Sequence, residues 1–275
     1  MLTRSLCCFR GISAAAERRL WRAGCLDWEH LPLARSVVSP RKADDLQAQL
    51  PELQAALMGG VVDYFLRRLP VGHRVRVWPD FAAGTTFLDT ETTGLGSRDH
   101  LTVIGLWRNG KGFAFVRGRN LHDFLTSWRT TTILVTFNGI RFDVPMLART
   151  FGLTSMPPHI DLMAEARAFG YVGGLKVIEH ALGVRRKPEE CGDGELATRL
   201  WRRYADKGDT GSLDALLRYN ARDVRSLITL ARELLRRSMD GCPAPRPPFP
   251  NPVYSEHGTS PSSSRPMLGR PQAVE

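Results

Sequence analysis

The sequence has no run of about eighteen or more consecutive apolar residues, which excludes a membrane-spanning helix. Cysteine is scarce, and Cys7, Cys8, Cys25, Cys191 and Cys242 show neither paired metal-ligand spacing nor a disulfide-framework pattern. Reduced thiols in a reducing, cytoplasmic compartment are the expectation. Acidic residues are missing before Glu17, and the stretch 1–20 is basic and contains serines, a composition shared with transit peptides. It lacks the apolar core of a secretory signal, however, and runs unbroken into a helical pattern, which favours an ordinary N-terminal element.

Positive charge, by contrast, is plentiful. The 275 residues carry a formal charge of +10 and a pI near 9.9, a balance that favours a polyanionic partner, nucleic acid first, because clustered Lys and Arg gain affinity by displacing counterions from phosphates. A hydrophobic content of 43% is enough to bury a full α/β domain with a small appendage.

Four regions follow along the chain. Over 1–35, a Phe9-Arg10-Gly11-Ile12-Ser13 turn, a helix over 14–23 ending at Gly24 and a second short helix over 27–33 form a helical hairpin. The turn resembles the helix-hairpin-helix type that grips DNA phosphates through backbone N–H groups. Ser13 stands where that motif has its second glycine, so gripping a phosphate and capping the neighbouring domain stay open as two readings. Over 36–80, Leu46, Leu50, Leu53 and Leu57 line one helix face as packing residues, Pro51 and Gly59-Gly60 are expected to break the helix, and 71–81 reads as an extended lead-in. The main domain spans 81–238. The tail, 239–275, holds nine of the chain's prolines among Ser, Gly and Arg and reads as disordered.

Within the main domain, strands are expected near 86–92, 101–107 and 112–117, the last two joined by Asn109-Gly110, a strong hairpin signal. A helix over 121–128, a strand over 133–137, a helix over 145–151 and a strand over 159–162 complete a β-β-β-α-β-α-β order. Helices over 174–182, 195–204 and 212–237 follow. The expected fold is α/β, with a five-stranded mixed sheet in three layers behind a small helical N-terminal region.

Three motifs carry chemistry. In Thr86-Phe87-Leu88-Asp89-Thr90-Glu91-Thr92-Thr93-Gly94 the two acids sit two apart on a strand, hence on one face. An apolar strand ending in two like charges costs several kcal/mol unless a cation or protons neutralise them. Asn138-Gly139-Ile140-Arg141-Phe142-Asp143 holds Asp143 at a strand-to-helix junction, at the carboxyl end of the sheet where ligands of open α/β folds collect. Tyr219-Asn220-Ala221-Arg222-Asp223 puts Tyr219 and Asp223 on one face of the last helix. Asp161 reads as the cap of a following helix rather than an outer support of the site. His159 and His180 read as structural, and Arg185-Arg186-Lys187 as a solvated run or a strand-binding patch.

In this order and on these elements, the motifs resemble those of the DEDD exonucleases of the ribonuclease H-like superfamily. Tyr219 and Asp223 match the tyrosine variant; the histidine variant would need His at position 218, which is Arg. More narrowly, Leu-Asp-Thr-Glu-Thr-Thr-Gly-Leu at 88–95, Val-Thr-Phe-Asn-Gly at 135–139, Gly-Gly-Leu-Lys-Val-Ile-Glu at 173–179 and Tyr-Asn-Ala-Arg-Asp-Val at 219–224 resemble the YprB-type domain. The resemblance implies phosphodiester hydrolysis, as a 3'–5' exonuclease, with two Mg²⁺ or Mn²⁺ ions about 3.5–4 Å apart. It implies Asp89, Glu91, Asp143 and Asp223 as metal ligands, with Asp89 bridging. Tyr219 would orient the attacking water, since a hydroxyl with an ordinary pKa of about 10 is a poor base at neutral pH. Thr92, Asn138 and Lys176 would contact the substrate, a single-stranded end of DNA or RNA. A structure-specific endonuclease, a catalytically idle nucleic-acid-binding module and a scaffold acting through the tail are the competing readings.

Overall fold

Strands β1 (Thr85–Thr92), β2 (Leu101–Arg108), β3 (Lys111–Val116), β4 (Ile133–Thr136) and β5 (His159–Asp161) form one sheet in the order β3-β2-β1-β4-β5. The computed structural model describes residues 1–94, 96, 98–184 and 194–244. The β1–β2 and β2–β3 pairs are antiparallel, whereas β1–β4 and β4–β5 are parallel. Asn109 and Gly110 both adopt positive φ, at 50° and 77°, as a two-residue hairpin turn matched to strand twist demands. The fold is thus the expected α/β arrangement with a five-stranded mixed sheet.

Strand alternation sorts the core into layers. Phe87, Ile133 and Val135 point to one face and pack with Val224, Leu227 and Leu234 of the long helix α9 (Thr210–Ser238). Leu88, Ile104, Leu106 and Leu134 point to the other, where Phe124 of α4 (Phe124–Arg129) and Leu147 of α5 (Asp143–Phe151) cover them. Helix α8 (Gly194–Lys207) adds Ala197 and Trp201 against Val103, Leu213 and Leu216 on the α9 side. Two short helices, α6 (Leu162–Arg167) and α7 (Leu175–Ala181), join the fifth strand to the residues before α8.

The N-terminal helices α1 (Ala14–Arg22), α2 (Pro40–Met58) and α3 (Val62–Arg68) share the α9 core: Leu2, Leu6, Phe9, Leu20, Trp21, Leu46, Leu53 and Phe65 are buried in the same cluster as Leu230 and Leu235. Ser13 caps α1 by accepting the Ala16 N–H at 3.2 Å. At the preceding turn, Lys42 Nζ donates to the Arg10 carbonyl at 2.7 Å, closing over Gly11.

Two local expectations fail. Pro51 does not break α2, which runs through it to Met58. Its ring lies on the exposed side, where the carbonyl it leaves unbonded can reach water, while Leu46, Leu53 and Ala56 anchor the buried side. The stretch expected to be extended is instead 3-10 helical over Arg74–Gly84, with a kink at Phe81. Its alternating Arg and Val pattern is not in/out: Val75, Arg76, Val77 and Trp78 are all buried. Arg76 Nη1 lies 2.9 and 2.8 Å from the two Glu17 carboxylate oxygens, and its other nitrogens donate to Ser238 at the end of α9. The Arg185–Lys187 run and the tail beyond residue 244 fall outside the described residues.

Candidate active site

Strand β1 ends where α9 crosses the sheet, and the two bring the acids together. Asp89 and Glu91 lie opposite Gly105 and Val103 of β2, on the face that α9 covers. Helix α9 is capped by Asp209, whose carboxylate accepts the Ser212 N–H at 3.1 Å, and presents Tyr219, Asn220 and Asp223 to that face, all buried. Carboxylate oxygens of Asp89, Glu91 and Asp223 lie within 4.8 Å of one another. Residues from the first and third motifs, far apart in the chain, therefore form one cluster.

Asp143 arrives from the opposite layer. As the first residue of α5 it is 4% exposed, and Thr90, the strand residue that points away from α9, donates its hydroxyl to Asp143 Oδ1 at 2.7 Å. The loop before it is shaped by Asn138 at φ 60° and by Gly139, where a Cβ would come 2.0 Å from Thr136 Oγ1. Asp161 holds this loop by accepting N–H bonds from Asn138 at 2.8 Å and Ile140 at 3.3 Å, and it also caps α6 through the Met163 N–H at 3.0 Å. The expected helix cap is there, and the same carboxylate steadies the Asp143 loop.

The remaining expected residues divide. Lys176, on α7, donates to the Tyr219 hydroxyl at 2.7 Å, so it reaches the centre through Tyr219. Thr92 turns its hydroxyl to the Gly94 carbonyl at 2.7 Å, in its own loop, and Asn138 shapes the loop before Asp143. His159 is held by Thr136 at 2.8 Å, a structural contact.

A family model described as the RNase_H superfamily matches residues 86–235, more than half of the chain. The chain belongs to the RNase H superfamily. Among solved structures, the family B DNA polymerase from the hyperthermophilic archaeon Pyrobaculum calidifontis is similar over 55% of this chain, at 20% sequence identity and a TM-score of 0.45. That match spans only 24% of the polymerase chain. No curated protein sequence matches the chain.

Electrostatics single out this corner of the RNase H domain. Burial, then the charges of Glu91, Asp223 and Asp143, drive the Asp89 carboxyl well above the usual carboxylate range, against the Asn220 amide. Burial and Asp223 raise Glu91 to about 8, against the Asn220 amide and the Lys176 charge. Burial lifts Asp143 to about 6, against the Thr90 hydroxyl. All three shifts express one shortage: negative charge is crowded out of water without enough positive charge beside it. A divalent cation would remedy it, and the oxygen-only donor set fits hard Mg²⁺ or Mn²⁺, as RNase H superfamily domains typically use, rather than zinc.

A second group in the RNase H chain, Cys7, Glu17 and His73, also brings three potential ligand atoms within 4.8 Å, but it does not fit an ion. The Arg76 guanidinium already bonds both Glu17 oxygens and lies 3.3 Å from Cys7 Sγ, so the positive charge is supplied by the protein.

Sequence reasoning gave no role to three residues at the site. Thr90 lies between the two acids, and alternation alone would have aimed it at the layer carrying Asp143. Asn220 follows Tyr219 and donates to both Asp89 and Glu91. Gly105, in the middle of β2, carries the usual signal of close approach by another group.

Proposed function

We propose that this RNase H superfamily chain is a metal-dependent nuclease that hydrolyses DNA or RNA from a single-stranded 3' end, a 3'–5' exonuclease of the tyrosine-type DEDD group with a YprB-like domain. The observation that carries the proposal is the meeting of Asp89, Glu91 and Asp223 within 4.8 Å at the carboxyl end of β1, with Asp143 brought in from the opposite layer. Four carboxylates suit two divalent cations, which when bound neutralise the scissile phosphate, supply a nucleophilic water and stabilise the leaving oxygen. Asp89, Glu91 and Asp223 would hold one ion, and Asp143 would serve the other.

The chain's own contribution is positioning. Tyr219 offers its hydroxyl to the attacking water, and Lys176 fixes the direction of that hydroxyl. Thr90 fixes the Asp143 carboxylate. Thr92, at the end of β1, and Asn138, in the loop before Asp143, are the further candidate substrate contacts, and the charge of +10 favours nucleic acid over smaller phosphoesters. Cys7, Cys8, Cys25 and Cys242 are free thiols, which suits action in a reducing, cytoplasmic setting.

A panel of 5'-labelled single-stranded and duplex DNA and RNA, incubated with Mg²⁺ or Mn²⁺, tests the proposal. A ladder shortening one nucleotide at a time is expected. One discrete internal product would make the chain an endonuclease, and retarded but uncut oligonucleotide would make it a binding module.

A further inference from the structure

Asn220 is neutral, 1% exposed and placed against the acids. Its Nδ2 donates to Asp89 Oδ2 at 2.9 Å, lies 3.3 Å from the Asp89 carbonyl oxygen and reaches Glu91 Oε1 at 3.4 Å. One amide group thus spans two carboxylates that otherwise repel each other. It also leaves the second oxygen of each, Asp89 Oδ1 and Glu91 Oε2, for other partners.

The amide reaches this place because of what β2 lacks. Gly105 lies directly opposite Asp89 in the antiparallel ladder. A Cβ at Gly105 would stand 1.8 Å from Asn220 Oδ1 and 2.9 Å from its Cγ, distances no packed side chain tolerates, with Val224 Cγ2 at 3.1 Å. A glycine in a strand interior weakens the strand and marks a place where another group comes close to the backbone. Here that group is the Asn220 amide, and any other residue at 105 would push it off the carboxylates.

We propose that Gly105 and Asn220 act as one positioning device for the acidic centre: the glycine makes room for the amide, and the amide selects which oxygens of Asp89 and Glu91 face a bound cation. The inference rests on the nuclease reading of the same acids. Partners of this kind, bonded to ligands rather than to the ion, typically change metal affinity by about 10–100-fold when removed. Asn220 is therefore a positioning residue whose loss weakens cation binding without removing a ligand.

The test measures Mn²⁺ binding by electron paramagnetic resonance on the full chain: wild type, Asn220→Ala, Gly105→Ala, the double variant and Asp89→Asn. Far-UV circular dichroism and melting temperature are followed alongside. Asn220→Ala is expected to bind Mn²⁺ about 10–100-fold more weakly while keeping its fold. Gly105→Ala should weaken binding similarly, and the double variant no further than Asn220→Ala alone, because the methyl then fills space the amide has left. If Gly105→Ala fails to fold, the double variant and Asn220→Ala decide. Asn220→Ala binding Mn²⁺ like the wild type, while Asp89→Asn does not, overturns this inference and leaves the nuclease reading standing. A wild type that binds no Mn²⁺ overturns both.

Discussion

The Lys176 ammonium donates to the Tyr219 hydroxyl at 2.7 Å, so one cation fixes the direction in which that hydroxyl points. Tyr219→Phe is expected to lose about 10-fold in turnover, the worth of one hydrogen bond to the attacking water. Carboxylate-to-amide changes at Asp89, Glu91, Asp143 or Asp223 should lose on the order of 10³-fold or more, because several kcal/mol of charge stabilisation goes with each ligand. Lys176→Met should resemble Tyr219→Phe, and the double variant should be no worse than the poorer single one, since both remove the same positioned hydroxyl. Single-turnover cleavage rates check this; multiplicative losses would mean that Lys176 acts independently of Tyr219, on substrate phosphate.

A second expectation concerns pH in the absence of metal. Burial and neighbouring charge raise Glu91 to about 8 and Asp143 to about 6. A carboxyl raised in the folded state stabilises the fold fully below its ordinary range, and that contribution disappears as pH rises through the folded value. Protein in EDTA should therefore melt at a higher temperature at pH 5.5 than at pH 8.5, roughly the window these two groups span. Mn²⁺ should raise the melting temperature most at the alkaline end, where the carboxylates are ionised. Glu91→Gln should flatten the EDTA profile; differential scanning fluorimetry across pH, with and without Mn²⁺, reads all three effects.

The buried pair of Arg76 and Glu17 makes a stability prediction far from the acids. Both side chains are sealed from water, and Arg76 links Glu17 in α1 to the end of α9. Arg76→Met would leave Glu17 buried without its cation, a change that costs about 3–5 kcal/mol. Replacing both, as Arg76→Met with Glu17→Met, should cost clearly less than the sum of the single changes, as urea denaturation would show. Additive losses would mean the two charges do not depend on each other.

How much of this was legible in the sequence depends on which kind of signal carried it. The local pieces were readable because short-range patterns encode them: alternation placed Asp89 and Glu91 on one face, Asn109-Gly110 fixed the hairpin, and helical spacing put Tyr219 beside Asp223, whereas only the family resemblance joined these motifs into one site. What escaped was set by contacts between distant segments. The alternating Arg and Val of residues 74–77 mimic a half-exposed strand, and only Glu17 and Ser238, from opposite ends of the chain, explain why Arg76 is buried in a 3-10 helix. Pro51 looked like a break because a proline inside a helix removes a hydrogen bond, but the packing of Leu46 and Leu53 on the opposite side holds α2 together through it. Asn220 and Gly105 were hidden for the same reason: neither residue means anything without the other, and they are 115 positions apart.

The central claim is tested most directly by incubating a labelled single-stranded oligonucleotide with the wild type, Asp89→Asn and Asp143→Asn, each in Mg²⁺, in Mn²⁺ and in EDTA. The account predicts cleavage by the wild type with either metal, none in EDTA, and on the order of 10³-fold slower cleavage by both variants. A wild type that cuts equally well in EDTA, or variants that cut at the wild-type rate, would contradict it.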